Sequence, residues 1–119
     1  MSTPYPQGGK TTVAPDVLLT IARLTTLNVA GVSRMSDVPG SVNRLFSRGT
    51  GEGVRIEIKD DDLVYADLYV ILINNVNIRD VSRNIQQQVA RAFSEMVGMQ
   101  VGRVNVHIED IDYPMETEA

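Results

Sequence analysis

Three consecutive aspartates, Asp60, Asp61 and Asp62, are the first candidate for a metal site in this chain. A Ca²⁺ loop places its oxygen ligands at alternating positions around a central glycine and ends on a bidentate glutamate. Consecutive side chains cannot all point at one ion, and the rest of such a loop is missing from the sequence. The triplet is therefore interpreted as a solvated turn between two strands.

The glycine-rich segment from Gly49 to Gly53 has the composition of a phosphate-binding loop. Both glycine signatures for phosphate need a strand before the loop and a helix after it, because the helix N-terminus provides the anion site. Here a strand is predicted to follow, no Lys-Ser or Lys-Thr pair is present, and Glu52 would repel phosphate. We therefore interpret the segment as the entry into a strand and expect no cofactor.

His107 is the only histidine, and there is no cysteine. General-base catalysis usually needs an orienting partner, and a hydrolytic triad also needs a nucleophile. Asn105 and Glu109 would share a strand face with His107 at about 7 Å, which favours a surface group. A zinc site without thiolates would depend on carboxylates, which is rare. The sequence thus predicts no catalytic, cofactor-binding or metal-binding residue, and we expect no enzyme.

A strip of basic residues is the one feature that favours nucleic-acid binding. Its members are Arg44, Arg48, Arg55, Lys59 and Arg103. Glutamates lie among them, and the chain offers only two phenylalanines and four tyrosines for stacking on bases. The formal net charge of -4 at pH 7 repels phosphate backbones as well. Nucleic-acid binding is therefore an alternative hypothesis and not the main one.

The N-terminus lacks the charged region and apolar core of a signal peptide. No stretch approaches the roughly 18 apolar residues of a membrane span. We therefore expect a cytoplasmic protein without direct membrane insertion, in which any membrane association comes through a partner protein.

The chain is predicted to form one domain over residues 10–113, between a flexible N-terminal tail, 1–9, and an acidic C-terminal tail, 114–119. A short strand is predicted at Lys10–Ala14, and Pro15 suits the first position of a helix that runs to about Leu27.

A strand at Gly31–Met35 and an irregular loop, Ser36–Gly53, should follow. Clean alternation then predicts a strand at Gly53–Lys59. Asn77 is a good N-cap for a second helix, Ile78–Val97, which should stop at Gly98 before a final alternating strand.

These elements predict an α+β fold in the order β-α-β-β-β-α-β, with two helices packed on one face of a mixed four- to five-stranded sheet. The strand Leu63–Ile73 is apolar on both faces, which is typical of a strand covered on both sides. Two helices protect only one face. We therefore predict an interface with a second copy or a partner at the residues on the other face: Tyr65, Tyr69, Ile71 and Ile73.

Three segments resemble the alkaline shock protein family of envelope stress response proteins (YloU-like). The first runs from Lys10 through Val29-Ala-Gly-Val-Ser-Arg-Met, and the second, the central hairpin, from Gly53 to Val70. The third begins at Ile78 and contains Val104-Asn-Val-His-Ile. The resemblance covers nearly the whole chain, and the order of the segments is more specific than any one of them.

The resemblance implies a non-enzymatic, cytoplasmic protein tied to cell-envelope homeostasis. Some members of the family lie under the membrane through a separate membrane-anchored partner and form higher-order assemblies. The family has no established catalytic residues to carry over. The main hypothesis is therefore a self-associating scaffold or interaction protein of the envelope stress response. A nucleic-acid-binding module and a small-molecule-binding regulatory domain are the alternatives.

Overall fold

The computed structural model describes residues 8–39 and 50–114. Most of both predicted tails lies outside the described residues. The same is true of most of the Ser36–Gly53 loop, including Arg44, Arg48 and Gly49.

The described residues form two α-helices and five strands, and the second helix ends in a π-helical turn. In chain order they are α1 (Pro15–Leu27), β1 (Val32–Met35), β2 (Thr50–Gly51), β3 (Val54–Ile58), β4 (Val64–Ile73), α2 (Ile78–Ala92), the π-helical turn (Phe93–Val97) and β5 (Val101–Asp112). This confirms the predicted α+β class, with two helices on a mixed five-stranded sheet.

The strand predicted at Lys10–Ala14 is wrong, because these residues form no regular element. β propensity describes a fit to a pleated, half-buried surface, and no described strand pairs with this segment. Its Val13 instead packs against the core. The fifth strand of the sheet is the short β2, which pairs with β3.

β4 is the centre of the sheet. Along one edge it pairs in parallel with β5 over its whole length, from Val64 opposite Val101 to Ile73 opposite Asp112. Along the other edge it pairs antiparallel with β3 through its first half and with β1 through its last residues. Alternate side chains of β4 therefore point to two faces with different surroundings.

Both helices cover the same face of β4. The β4 side chains on that face are Val64, Ala66, Leu68, Val70 and Leu72, each no more than 1% exposed. They form one cluster with Leu18, Ile21 and Ala22 of α1 and with Val81, Ile85 and Val89 of α2. The core thus lies between one sheet face and the helix pair.

The ends of α2 form as the sequence predicts. The Asn77 side chain accepts a hydrogen bond from the Asp80 amide at 2.9 Å, and Gly98 takes the left-handed conformation at φ 69°. Helical spacing predicts Ile78 and Met96 on the buried face of this helix, but Ile78 is 46% and Met96 67% exposed. The wider π-helical turn displaces Met96 from the α-helical spacing, whereas Phe93 at its start remains fully buried.

Candidate interaction surface on the open face of the sheet

The face of the sheet opposite the helices, here called the open face, carries the alternate side chains of β4. They are Tyr65, Asp67, Tyr69, Ile71 and Ile73. Within residues 8–39 and 50–114, both helices lie on the other side of the sheet and no element covers this one. The open face is therefore the place to look for a binding surface.

The four residues predicted at an interface differ in exposure. Tyr69 is 7% and Ile71 6% exposed in the single chain, while Tyr65 is half-buried and Ile73 is 43% exposed. Neighbouring side chains of the sheet already cover the two middle residues. Only Tyr65 and Ile73, at the two ends of β4, thus leave apolar area that a partner could cover. The interface itself stays a prediction.

Tyr69 is covered by a polar network, here called the Tyr69 cluster, formed with Arg55, Asp67, Asn105 and His107. The rings of Tyr69 and His107 stack with centroids 4.4 Å apart and planes 10° apart. Arg55 Nη2 donates a hydrogen bond to the Tyr69 hydroxyl at 3.0 Å. The cluster joins five side chains from three strands, so the centre of the open face is polar.

The hydrogen-bond partner of His107 lies on the neighbouring strand and is not Asn105 or Glu109 of its own strand. Its Nε2 lies 3.0 Å from Asp67 Oδ1, and Asn105 Nδ2 donates to the same oxygen at 3.1 Å. The parallel register places Asp67 opposite Asn105 and Tyr69 opposite His107, which brings the Asp67 carboxylate between both donors. Sequence reasoning missed Asp67 because only the strand register reveals these partners.

The environment of Asp67 favours its charged form. Burial raises the pKa of the carboxyl group, but hydrogen bonds from His107 and Asn105 outweigh it and leave the pKa below its ordinary value. In the described part of the chain, His107 makes no hydrogen bond to a hydroxyl group. The Asp67–His107 pair therefore has the geometry of a structural pair without a bonded nucleophile.

We expect the Asp67→Asn variant to lose less stability in acid than the native chain. Because the folded-state pKa of Asp67 is lowered, its contribution is present above the unfolded-state pKa of about 4 and is lost as pH falls through the folded-state value. Urea unfolding at a series of pH values between about 6 and 2 measures the slope. Asp60→Asn, in the exposed turn, is the control. An unchanged slope in Asp67→Asn would contradict the assignment.

The Tyr65 ring contacts two neighbouring residues, Lys59 and Gly102. Lys59 Nζ lies 4.4 Å from the ring centroid. A Cβ atom on Gly102 would lie 2.5 Å from the ring, so the tyrosine packs directly against that glycine. The Tyr65 hydroxyl donates to Asp61 at 2.8 Å. Both tyrosine rings of the open face are thus engaged with other residues of the sheet, which weakens the case for stacking on a nucleic-acid base.

At the far end of the open face, an ion pair flanks the two isoleucines. Arg34 Nε lies 3.0 Å from Asp112 Oδ2, and the Ser33 hydroxyl donates to the same oxygen at 2.7 Å. These hydrogen bonds, the one from Arg34 foremost, lower the pKa of Asp112. Arg34 is the neighbour of Ile71 on β1 and Asp112 that of Ile73 on β5, which places a charged rim around an apolar spot.

Comparison with known proteins agrees with the resemblance indicated by the sequence. The model of the alkaline shock protein 23 family, described as having a cell envelope-related function, matches residues 5–113. The chain belongs to this family.

Two relatives are similar to the chain over most of their length. The uncharacterized protein Spy1535 of Streptococcus pyogenes is 34% identical over 87% of this chain and 79% of its own. The uncharacterized protein YqhY of Bacillus subtilis is 27% identical over 92% of this chain and 82% of its own. No solved structure matches the chain.

The segments weighed for metal and phosphate chemistry take structural roles in this family member. Asp60, Asp61 and Asp62 form an exposed turn, in which Asp61 accepts hydrogen bonds from the Leu63 amide and Tyr65. Glu52, in the glycine-rich segment, forms an ion pair with Arg23 at 2.9 Å, and a strand follows it. Within the described ranges, no group of three acidic or histidine side chains is placed to hold a metal ion.

A shallow groove of about 650 Å³ lies between the end of α1 and the outer side of α2. Amide side chains line it, from Asn28, Asn84 and Gln88, together with the paired Arg91 and Glu95.

In the part of the chain that the structure describes, no helix is long and apolar enough to cross a membrane.

Proposed function

We propose that this chain is a non-enzymatic scaffold or interaction protein of the envelope stress response. It self-associates and is recruited to the membrane through a partner protein that binds the open face. Membership in a family with a cell envelope-related function supports the envelope part of the proposal. A formal net charge of -4 opposes direct binding to an anionic bilayer, which favours recruitment by a protein.

The observation that carries the proposal is the network of hydrogen-bonded side chains at the centre of the open face. This centre is held by the Tyr69 cluster, in which hydrogen bonds join Arg55 to Tyr69 and both Asn105 and His107 to Asp67. Such side chains lose little conformational freedom when a partner docks, and this lowers the entropic cost of binding. The face is therefore preorganised as a platform for a protein.

One end of this platform has the anatomy of a binding hot spot. Ile73 is 43% exposed and lies beside the Arg34–Asp112 ion pair. Binding energy at interfaces concentrates in such apolar anchors, which polar groups surround and protect from water. We place the anchor of the partner at this end of the open face.

The proposal is tested by Ile73→Glu with Leu24→Glu as a matched control. The two side chains have the same size and similar exposure, 43% for Ile73 and 48% for Leu24. Leu24 lies on α1, away from the open face. We expect the native chain and Leu24→Glu to sediment with cell membranes and Ile73→Glu to remain in the supernatant. Purified native chain should not bind protein-free anionic vesicles.

Two results would contradict the proposal. Equal sedimentation of both variants would remove Ile73 from the docking surface. Binding of the purified chain to protein-free vesicles would replace the partner protein with direct lipid contact.

A small-molecule-binding regulatory domain is the second candidate, and the groove between α1 and α2 favours it. Its volume of about 650 Å³ lies within the range of ligand pockets, and its amides offer both donors and acceptors. A ligand there would raise the unfolding temperature of the native chain but not of Gln88→Leu. A ligand that stabilised both proteins equally would exclude the groove.

A further inference from the structure

The outer edge of β5 is the longest hydrogen-bonding surface that the described fold leaves without a strand. β5 is 12 residues long and pairs, within residues 8–39 and 50–114, with β4 alone. Open edges of this kind are templates for pairing with another strand, and folds usually shorten or block them. We propose that β5 pairs antiparallel with β5 of a second copy, in a register centred on Val106. The inference rests on the self-association in the proposed function and assigns it to one edge.

Two hydrogen bonds show which residues of β5 face that edge. The Val104 carbonyl accepts a hydrogen bond from the Gln86 side chain at 3.0 Å, and the Ile111 amide donates to the Asp110 carboxylate at 2.8 Å. Neither group is bonded to β4, so both point outward. Between its two register shifts against β4, from Val101 to Arg103 and from Ile108 to Asp110, the backbone groups of β5 alternate between the two edges of the strand. The second shift reverses the phase, so the odd-numbered Ile111 also faces outward. Val106 and Ile108, in phase with Val104, therefore present their N–H and C=O groups to the open edge as well.

The register follows from this set of outward groups. A two-fold axis through the edge makes the pairing antiparallel and self-complementary, so residue i meets j and j meets i. Centring the axis at Val106 pairs Val106 with its own copy and Val104 with Ile108 of the second copy. Every outward group between Val104 and Ile108 then gains a partner. The Val104 carbonyl can accept a second bond beside that of Gln86, because it has two lone pairs.

The side chains agree with this register on both faces. On the helix side, Val106 and Ile108 are half-buried members of the core margin, and pairing would extend the core across the axis. On the other side, exposed Arg103 comes opposite exposed Glu109 of the second copy, twice per dimer. Opposite charges across a strand pair stabilise it, and like charges destabilise it. This charge match is the reason to choose a second copy as the occupant over an unrelated extended peptide.

Two sets of variants test the edge, with the dimer dissociation constant measured by analytical ultracentrifugation on the full chain. Val106→Pro removes the central N–H, and an edge strand tolerates proline where that group faces solvent. We expect its dissociation constant to rise about a hundredfold, whereas Val106→Ala, which keeps the N–H, stays within about tenfold of the native value.

Charge exchange provides the second set. Arg103→Glu and Glu109→Arg each place like charges opposite each other twice, and each should raise the dissociation constant about tenfold. The double variant restores opposite charges and should return it to within about threefold of the native value. A defect in folding would not be repaired by the second substitution.

Amide hydrogen exchange reads the register directly. The Val106 and Ile108 amides should exchange more slowly as protein concentration rises, while the Ile111 amide should not change. A native chain that dimerises without these responses overturns the β5 edge but leaves the self-association of the proposed function standing. A native chain that is monomeric at all concentrations overturns both, and the Ile73 membrane test then decides the remainder of the proposed function.

Discussion

Ile71→Glu is expected to lower the free energy of unfolding by about 3–5 kcal/mol, because it buries a carboxylate without a partner. The site is 6% exposed. Its neighbour on β1, Arg34, is already bonded to Asp112 at 3.0 Å, and its neighbour on β5 is the acidic Asp110. The new charge would therefore break an existing pair or remain uncompensated.

Ile73→Glu is the matched control for this variant. Ile73 lies two residues further along the same strand and face but is 43% exposed, so its carboxylate stays hydrated and we expect a loss of about 1 kcal/mol. Urea unfolding followed by circular dichroism measures both changes. Equal losses would show that Ile71 is as accessible as Ile73 and that the rim around it does not form.

This contrast changes how an interface on the open face must be tested. On the sequence alone, Ile71 looks like an ideal site for a charge that separates subunits or partners. In the folded chain, a charge at Ile71 acts on stability first. Loss of binding in that variant would report unfolding, so Ile73 is the informative position.

Gly53→Ala is expected to cost about 3 kcal/mol or more of unfolding free energy. Gly53 has φ +81°, which strains any residue with a Cβ by about 1–2 kcal/mol. A Cβ there would also lie 2.4 Å from the Ser36 carbonyl oxygen and 2.9 Å from that of Tyr69. Both are backbone atoms held in place, since the Ser36 amide donates to Tyr69 O at 2.8 Å and the Tyr69 amide to Gly53 O at 2.8 Å. The clash must therefore move strands.

Gly98→Ala separates the conformational part of this cost from the steric part. Gly98 has a similar φ of +69°, but a Cβ there meets nothing within 4 Å. We expect a loss of about 1 kcal/mol for Gly98→Ala. The difference between the two alanine variants, measured by chemical unfolding, is the cost of the contacts at the β1–β3–β4 junction. A difference near zero would contradict the close approach of these strands.

Local sequence signals predicted most of the fold. Pro15 starts α1, Asn77 caps α2, and Gly98 ends the helical segment, because each acts on the backbone groups of its own turn. The alternation of Val54 and Ile56 with polar residues predicted a strand, because successive side chains of a strand point to opposite faces. The strand predicted at Lys10–Ala14 depended on the β propensity of its residues and has no strand partner in the described fold.

The residues of the candidate surface could also be predicted from the sequence, but which of them are buried and which are exposed could not. The sequence by itself determined that β4 has two apolar faces and that two helices cover only one of them. Only the tertiary structure decided that Tyr69 and Ile71 are covered within the chain, while Ile73 is left exposed. The physical reason is strand register. Pairing β4 in parallel with β5 brings His107 onto Tyr69 and Asp112 beside Ile73, residues about 40 positions apart, and no local pattern encodes that alignment.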